Sequence, residues 1–101
     1  MTSPVPPLVE LLGKPECHLC EDAKQLLRSL QATHAFTLHE INIVEHADLY
    51  AQYHAEIPVV FINGRKACKY RIDTAQFVRQ LRRAQHAESP TWRTWVWRKR
   101  T

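Results

Sequence analysis

Two cysteines, Cys17 and Cys20, are separated only by His18 and Leu19. Thiols at this spacing lie within reach of one another when the segment is helical, since they sit about one turn apart. Such a pair can exchange two electrons by closing and opening a disulfide. The chemistry needs the first sulfur exposed as a thiolate and the second close enough to displace whatever the first has bonded. A helix start favours the thiolate, because unpaired amides and the positive dipole end face it. Lys14 adds positive charge if it folds over the site, whereas Glu16, Glu21 and Asp22 raise a nearby thiol pKa. The balance predicts a Cys17 pKa of roughly 6–7.5, below the free-cysteine value. His18 has two readings. Protonated, it stabilises the thiolate; neutral, it only lines the surface. Leu19 is read as a small apolar substrate contact, or as packed against Pro58.

The elements that must hold this pair are legible on either side. Leu8–Leu12 is short and apolar with one interrupting Glu10, as in a buried strand, and Gly13-Lys14-Pro15-Glu16 breaks it. From Cys17 onward Ala23, Leu26, Leu27 and Leu30 follow helical spacing, with Lys24, Gln25, Arg28 and Ser29 opposite. Phe36–Ile43 alternates apolar and polar residues, a strand pattern, so the first three elements form a β-α-β unit with parallel strands. Ala47–His54 reads as a short helix. Val59–Ile62 is strongly β-prone, and Asn63-Gly64 signals a hairpin with a return strand over Lys66–Arg71. Asp73 is a candidate N-cap for a last helix that buries Phe77, Val78 and Leu81 and exposes Arg79, Arg82 and Arg83.

The remaining chemistry-bearing residues are less specific. Cys68 stands alone in a predicted strand, where cysteine usually serves as a small buried hydrophobe. Three cysteines, an odd number, argue against a structural disulfide framework and for reversible thiol use in a reducing compartment. His34, His39, His46, His54 and His86 have no metal-ligand spacing with each other. A zinc site would need a second tight ligand pair, and a c-type haem would need histidine where Glu21 stands.

The chain has 101 residues, enough for one small domain. No apolar stretch approaches the ~20 residues that cross a bilayer. Residues 1–7 lack the basic and apolar regions of a signal peptide and read as a disordered leader, which points to the cytoplasm. Of the 14 Lys/Arg, four (Arg93, Arg98, Lys99 and Arg100) follow Glu88, and none of the 10 acids does. The body is therefore neutral and the tail cationic, which argues against a nucleic-acid footprint spread over the whole domain. The boundaries fall at a leader 1–7, a domain 8–88 and a basic tail 89–101. The tail's Trp92, Trp95 and Trp97 either fold back over the domain or dock a partner, with nucleic-acid stacking and a membrane surface as further readings.

This element order, with Cys17-x-x-Cys20 at the first strand–helix junction and Ile57-Pro58 before the third strand, resembles the thioredoxin fold. Lys14–Ala23, Ile57–Phe61 and Asn63-Gly64 look like the small glutaredoxin-like proteins with a C-H-L-C site, over roughly Val9–Leu81. The resemblance implies an α/β, glutaredoxin-type β-α-β-α-β-β-α fold, with a central four-stranded mixed sheet and helices on both faces. It implies Cys17 as attacking thiol and Cys20 as resolving thiol. It also implies a cis Pro58 that turns the Ile57 backbone toward a substrate chain. Ala67–Asp73 lacks the Gly-Gly that precedes the last helix in members that bind glutathione tightly.

The expected activity is thiol–disulfide oxidoreduction, with Lys14, His18, Leu19, Ile57 and Pro58 contacting substrate and no bound cofactor or metal. Substrates would be protein disulfides or glutathione mixed disulfides. Glutathione or a flavoprotein reductase would supply electrons to a monomer. Two other readings stay open: a redox-sensing interaction module, and an iron–sulfur carrier using Cys17.

Overall fold

The computed structural model describes residues 6–86. Residues 1–5 of the leader and the whole basic tail, with its three tryptophans, lie outside the described residues. In chain order the elements are β1 (Leu8–Gly13), α1 (His18–Leu30), β2 (Thr37–Asn42), a 3-10 turn (Ile43–Glu45), α2 (Ala47–Tyr53), β3 (Val59–Ile62), β4 (Arg65–Lys69) and α3 (Thr74–His86).

The four strands form one sheet in the order β2-β1-β3-β4. β1 runs parallel to β2, and the other two pairings are antiparallel, so the sheet is mixed. β1 and β3 sit in its middle and, Glu10 apart, are apolar on both faces, as strands covered on two sides tend to be. Alternation along them sorts the core into two clusters. Val9, Leu11, Val60 and Ile62 pack against Ala23 and Leu27 of α1 and Phe77 and Leu81 of α3. Leu12, Val59 and Phe61 face the other way, onto Ile43 and onto Leu49 and Tyr53 of α2. Phe77, Leu27 and Leu81 are wholly buried. Each such side chain contributes about 1.5–3 kcal/mol by leaving water. Phe36 meets Phe77 edge to face, ring centres 5.7 Å apart.

Local chemistry ends the elements. Asn63 and Gly64 both have positive φ, 50° and 83°, as a two-residue hairpin turn with the twist of its strands requires. The Asn63 side-chain oxygen accepts from the Leu8 amide at 2.9 Å, which ties the hairpin to the start of β1. Asp73 caps α3 by accepting from the Gln76 amide at 3.2 Å.

Three details depart from the sequence reading. The return strand is Arg65–Lys69, because the turn uses only two residues and the backbone of Tyr70, at φ 68°, leaves the sheet plane. Ile43 belongs to the 3-10 turn, where Asn42 Oδ1 accepts from the Val44 amide at 3.0 Å. Pro7, assigned to the leader, is fully buried, and its carbonyl accepts from the Thr37 amide at 2.9 Å. Among the described residues no helix is long and apolar enough to cross a membrane.

Candidate functional site

The register sets the location of the site. Gly13 pairs with Asn42 at the end of β1 and β2, and Leu12 pairs with Val59 at the start of β3. The junction into α1 and the peptide before β3 therefore lie at the same end of the sheet. The Ile57–Pro58 peptide bond there is cis.

Cys17 is the N-cap of α1, in extended conformation (φ −116°, ψ 111°). Its carbonyl accepts the first helical bond, from the Glu21 amide at 3.0 Å. Its sulfur accepts from the Cys20 amide at 3.2 Å. A side-chain acceptor at this position satisfies one of the helix's orphan N–H groups, and here the acceptor is sulfur. Cys17 and Cys20 are joined in a disulfide, with Cα atoms 5.2 Å apart. Cys17 is half-buried, while Cys20 is only 7% exposed and packs with Leu12, Ile57 and Val59. Cys17 is thus the more accessible of the two, although it too packs against that cluster.

Gly13 explains how Cys20 comes so close to β1. A Cβ at this position would lie 3.1 Å from both Cβ and Sγ of Cys20. That is closer than side chains ordinarily pack, so a glycine at the end of β1 makes room for the inner cysteine. The sequence reading treated Gly13 only as a strand breaker.

The other predicted site residues divide between two sides of α1. Lys14 is exposed and lines a cavity of about 330 Å³ with Glu16, Cys20, Lys24, Glu40 and Asn42, on the β2 side. Glu40 there bonds Arg28 at 2.8 Å and lies 3.8 Å from Lys24, which holds α1 to the edge strand. Leu19, 39% exposed, lines a second groove of about 240 Å³ on the opposite side, with Leu26, Tyr70 and Ile72. His18 is exposed in the first turn of α1. Ile57 and Pro58 are buried, so their backbone offers more to a visitor than their side chains do.

Tyr70 is a residue that sequence reasoning missed. It follows β4, and its amide donates to the carbonyls of Pro58 at 2.9 Å and Glu56 at 3.2 Å. Its positive φ is costly for a bulky side chain, on the order of 1–2 kcal/mol. Its ring is 47% exposed, with the Lys69 ammonium 5.3 Å from the ring centre. No local signal in Lys69-Tyr70-Arg71 marks a left-handed residue, since neither glycine nor asparagine stands there.

Cys68 is half-buried on β4 and packs against the cluster under α1 and α3. Burial pushes its thiol up to about 11, and the Asp73 carboxylate adds to the shift. It is not a member of the cluster that holds Cys20. On the far side of β4, Lys66 donates to Glu56 at 3.1 Å, and that bond holds the Glu56 carboxyl below its usual range.

Residues 8–82 match the family model described as a glutaredoxin-like domain. The solution structure of protein Ne2328 from Nitrosomonas europaea superposes with a TM-score of 0.69 at 31% identity. That match covers 79% of this chain and 98% of the other. A thioredoxin variant from Halobacterium salinarum superposes with a TM-score of 0.54 at 14% identity, over 85% of this chain and 80% of that one. The architecture is the thioredoxin-like α/β fold, and the site is a thiol pair of the kind used in redox chemistry.

Proposed function

The chain belongs to the glutaredoxin-like domain family, and from that premise we propose that it is a dithiol–disulfide oxidoreductase acting through Cys17 and Cys20. The observation that carries this reading is the asymmetry of the pair: an outer sulfur at a helix N-cap, bonded to a buried inner one. In the reduced form the Cys20 amide and the helix dipole stabilise negative charge on Cys17. The Cys17 thiolate attacks one sulfur of a substrate disulfide. A mixed disulfide forms, the substrate S–S bond breaks, and the departing sulfur takes up a proton. Cys20, deprotonated, then attacks the Cys17 sulfur and releases the second substrate thiol. The substrate gains two electrons and two protons, and the protein keeps the Cys17–Cys20 disulfide.

Lys14, His18, Leu19 and the Ile57–Pro58 backbone are assigned to contact with the substrate. No resident cofactor is required. Glutathione or a dithiol reductase returns the electrons, and a reducing compartment such as the cytoplasm suits that cycle. The protein acts as a monomer in this scheme.

The test is a pair of variants. Cys20→Ser, mixed with a disulfide substrate, should accumulate a covalent adduct on Cys17 that mass spectrometry detects, and Cys17→Ser should not. The wild type should turn over with a thiol donor. Adducts on neither variant, or a wild type oxidised once without turnover, would refute the reading.

A further inference from the structure

The two faces of the sheet are unequally supplied with helices. α1 and α3, of 13 residues each, pack on the face that carries Val9 and Val60. Among the described residues the other face has one α-helix, α2, of 7 residues, which is about 10 Å long. It shares a cluster with Leu12, Val59 and Phe61. Yet β1 is buried along its whole length on this face: Leu8 is 7% exposed, Glu10 3% and Leu12 0%. Alternation puts these three together, since Val9 and Leu11 face α1 and α3. Among the described residues Leu8 joins neither core cluster, which sets the Leu8–Glu10 end apart from the part that α2 covers.

Glu10 gives that end a charge preference. Its neighbours across the sheet are His39 on β2 and Phe61 on β3. A carboxylate this deep suits a face whose cover brings cations as well as apolar surface.

The chain beyond α3 starts at the right place. Gln85 Nε2 donates to the Ala35 carbonyl at 3.3 Å. The helix therefore ends beside the start of β2, where Thr37 pairs with Leu8. Residues 87–91, fully extended, span about 17 Å, enough to round that end of the sheet. Trp92, Trp95 and Trp97 come next, interleaved and followed by Arg93, Arg98, Lys99 and Arg100, with no acid after Glu88. Large rings match the apolar surface of Leu8 and Phe61, and the cations match the carboxylate between them.

We propose that the chain's own tail occupies this half of the face. Residues 92–101 lie over Leu8, Glu10 and Phe61 beside α2, with a tail arginine paired to Glu10 and the indoles against Leu8 and Phe61. The domain, and not a nucleic acid or an anionic membrane, takes up the tail's charge.

Every tryptophan of the protein is in the tail, so the intrinsic fluorescence of the full-length protein reads the tail alone. Its emission should be blue-shifted against a synthetic peptide of residues 87–101, and acrylamide should quench it several-fold less, at any protein concentration. Nuclear Overhauser effects should connect the indoles to the Leu8 methyls and the Phe61 ring. Glu10→Gln should move the emission toward that of the peptide. Arg93→Gln, Arg98→Gln, Lys99→Gln and Arg100→Gln combined should do the same without altering the domain, so the test stands even where Glu10→Gln does not fold. Peptide-like emission from the full-length protein would overturn the proposal. So would shielded indoles without contacts to Leu8 or Phe61, or emission that the combined tail variant leaves unchanged. A blue shift that appears only at high protein concentration, with anionic phospholipid vesicles or with a single-stranded oligonucleotide would overturn it too, and would name a second copy, a membrane or a nucleic acid as the occupant of the tail.

Discussion

Cys68 offers a reactivity test that separates burial from thiol chemistry. In the oxidised protein Cys17 and Cys20 are tied up, so Cys68 is the only free thiol. Its pKa is pushed up to about 11 by burial and by Asp73. At pH 8 that leaves a thiolate fraction of about 0.001, against about 0.24 for a free cysteine of pKa ~8.5. The deficit is roughly 240-fold. A more basic thiolate is a better nucleophile, and with a Brønsted slope near 0.45 this returns about 13-fold. Alkylation by iodoacetamide should then run about 20-fold slower than for a cysteine peptide before any steric shielding is counted. The pH dependence is the sharper signature. From pH 7 to 9.5 the rate should keep rising about tenfold per unit, whereas the peptide's rate bends over near pH 8.5. The assay is mass-spectrometric labelling of the oxidised protein across that range. A Cys68 rate that matches the peptide, or one that levels off near pH 9, would refute the argument.

Two further predictions concern the frame of the site. Gly13→Ala sets a methyl group 3.1 Å from the Cys20 sulfur, which should destabilise the domain by about 1–2 kcal/mol; a thermal melt should register this as a midpoint lowered by several degrees. The hydrogen bond from Lys66 lowers the Glu56 pKa, so its small stabilising effect is present above the unfolded carboxyl pKa and is lost as pH falls through the folded one. Lys66→Met should move the Glu56 titration upward when followed by carboxyl NMR shifts, and an unmoved titration would contradict the assignment.

Much of this architecture could be read before any coordinates. Val59–Ile62 announces itself by four β-prone residues between a proline and Asn63-Gly64. Cys17 as the start of α1 follows from the change of period after Glu16. The site pair was legible because its chemistry depends on spacing along one helix. What could not be read depends on pairing across the sheet. Ala67 is an extra residue where Val60 pairs with Cys68 but Phe61 pairs with Lys66, and nothing in the local sequence indicates that irregularity. The hook at Tyr70 arises from carbonyls 12 and 14 residues earlier, on Pro58 and Glu56. Glu10, only 3% exposed, looks in the sequence like a polar break in a strand. Its burial follows from β1 lying at the centre of the sheet, which composition alone does not reveal. Lys14 and Leu19 both stand near Cys17 in the chain, but the turn at Glu16 (φ 61°) and the first turn of α1 send them to opposite flanks.

The position of β4 at one border of the sheet has a consequence for crowded solutions. Arg65, Lys66 and Lys69 all belong to that edge strand, and two copies pairing along it would set like charges against one another. Strand-by-strand accretion into fibrils is disfavoured along this margin, so the molecule can keep its reactive end uncovered without recruiting its own kind.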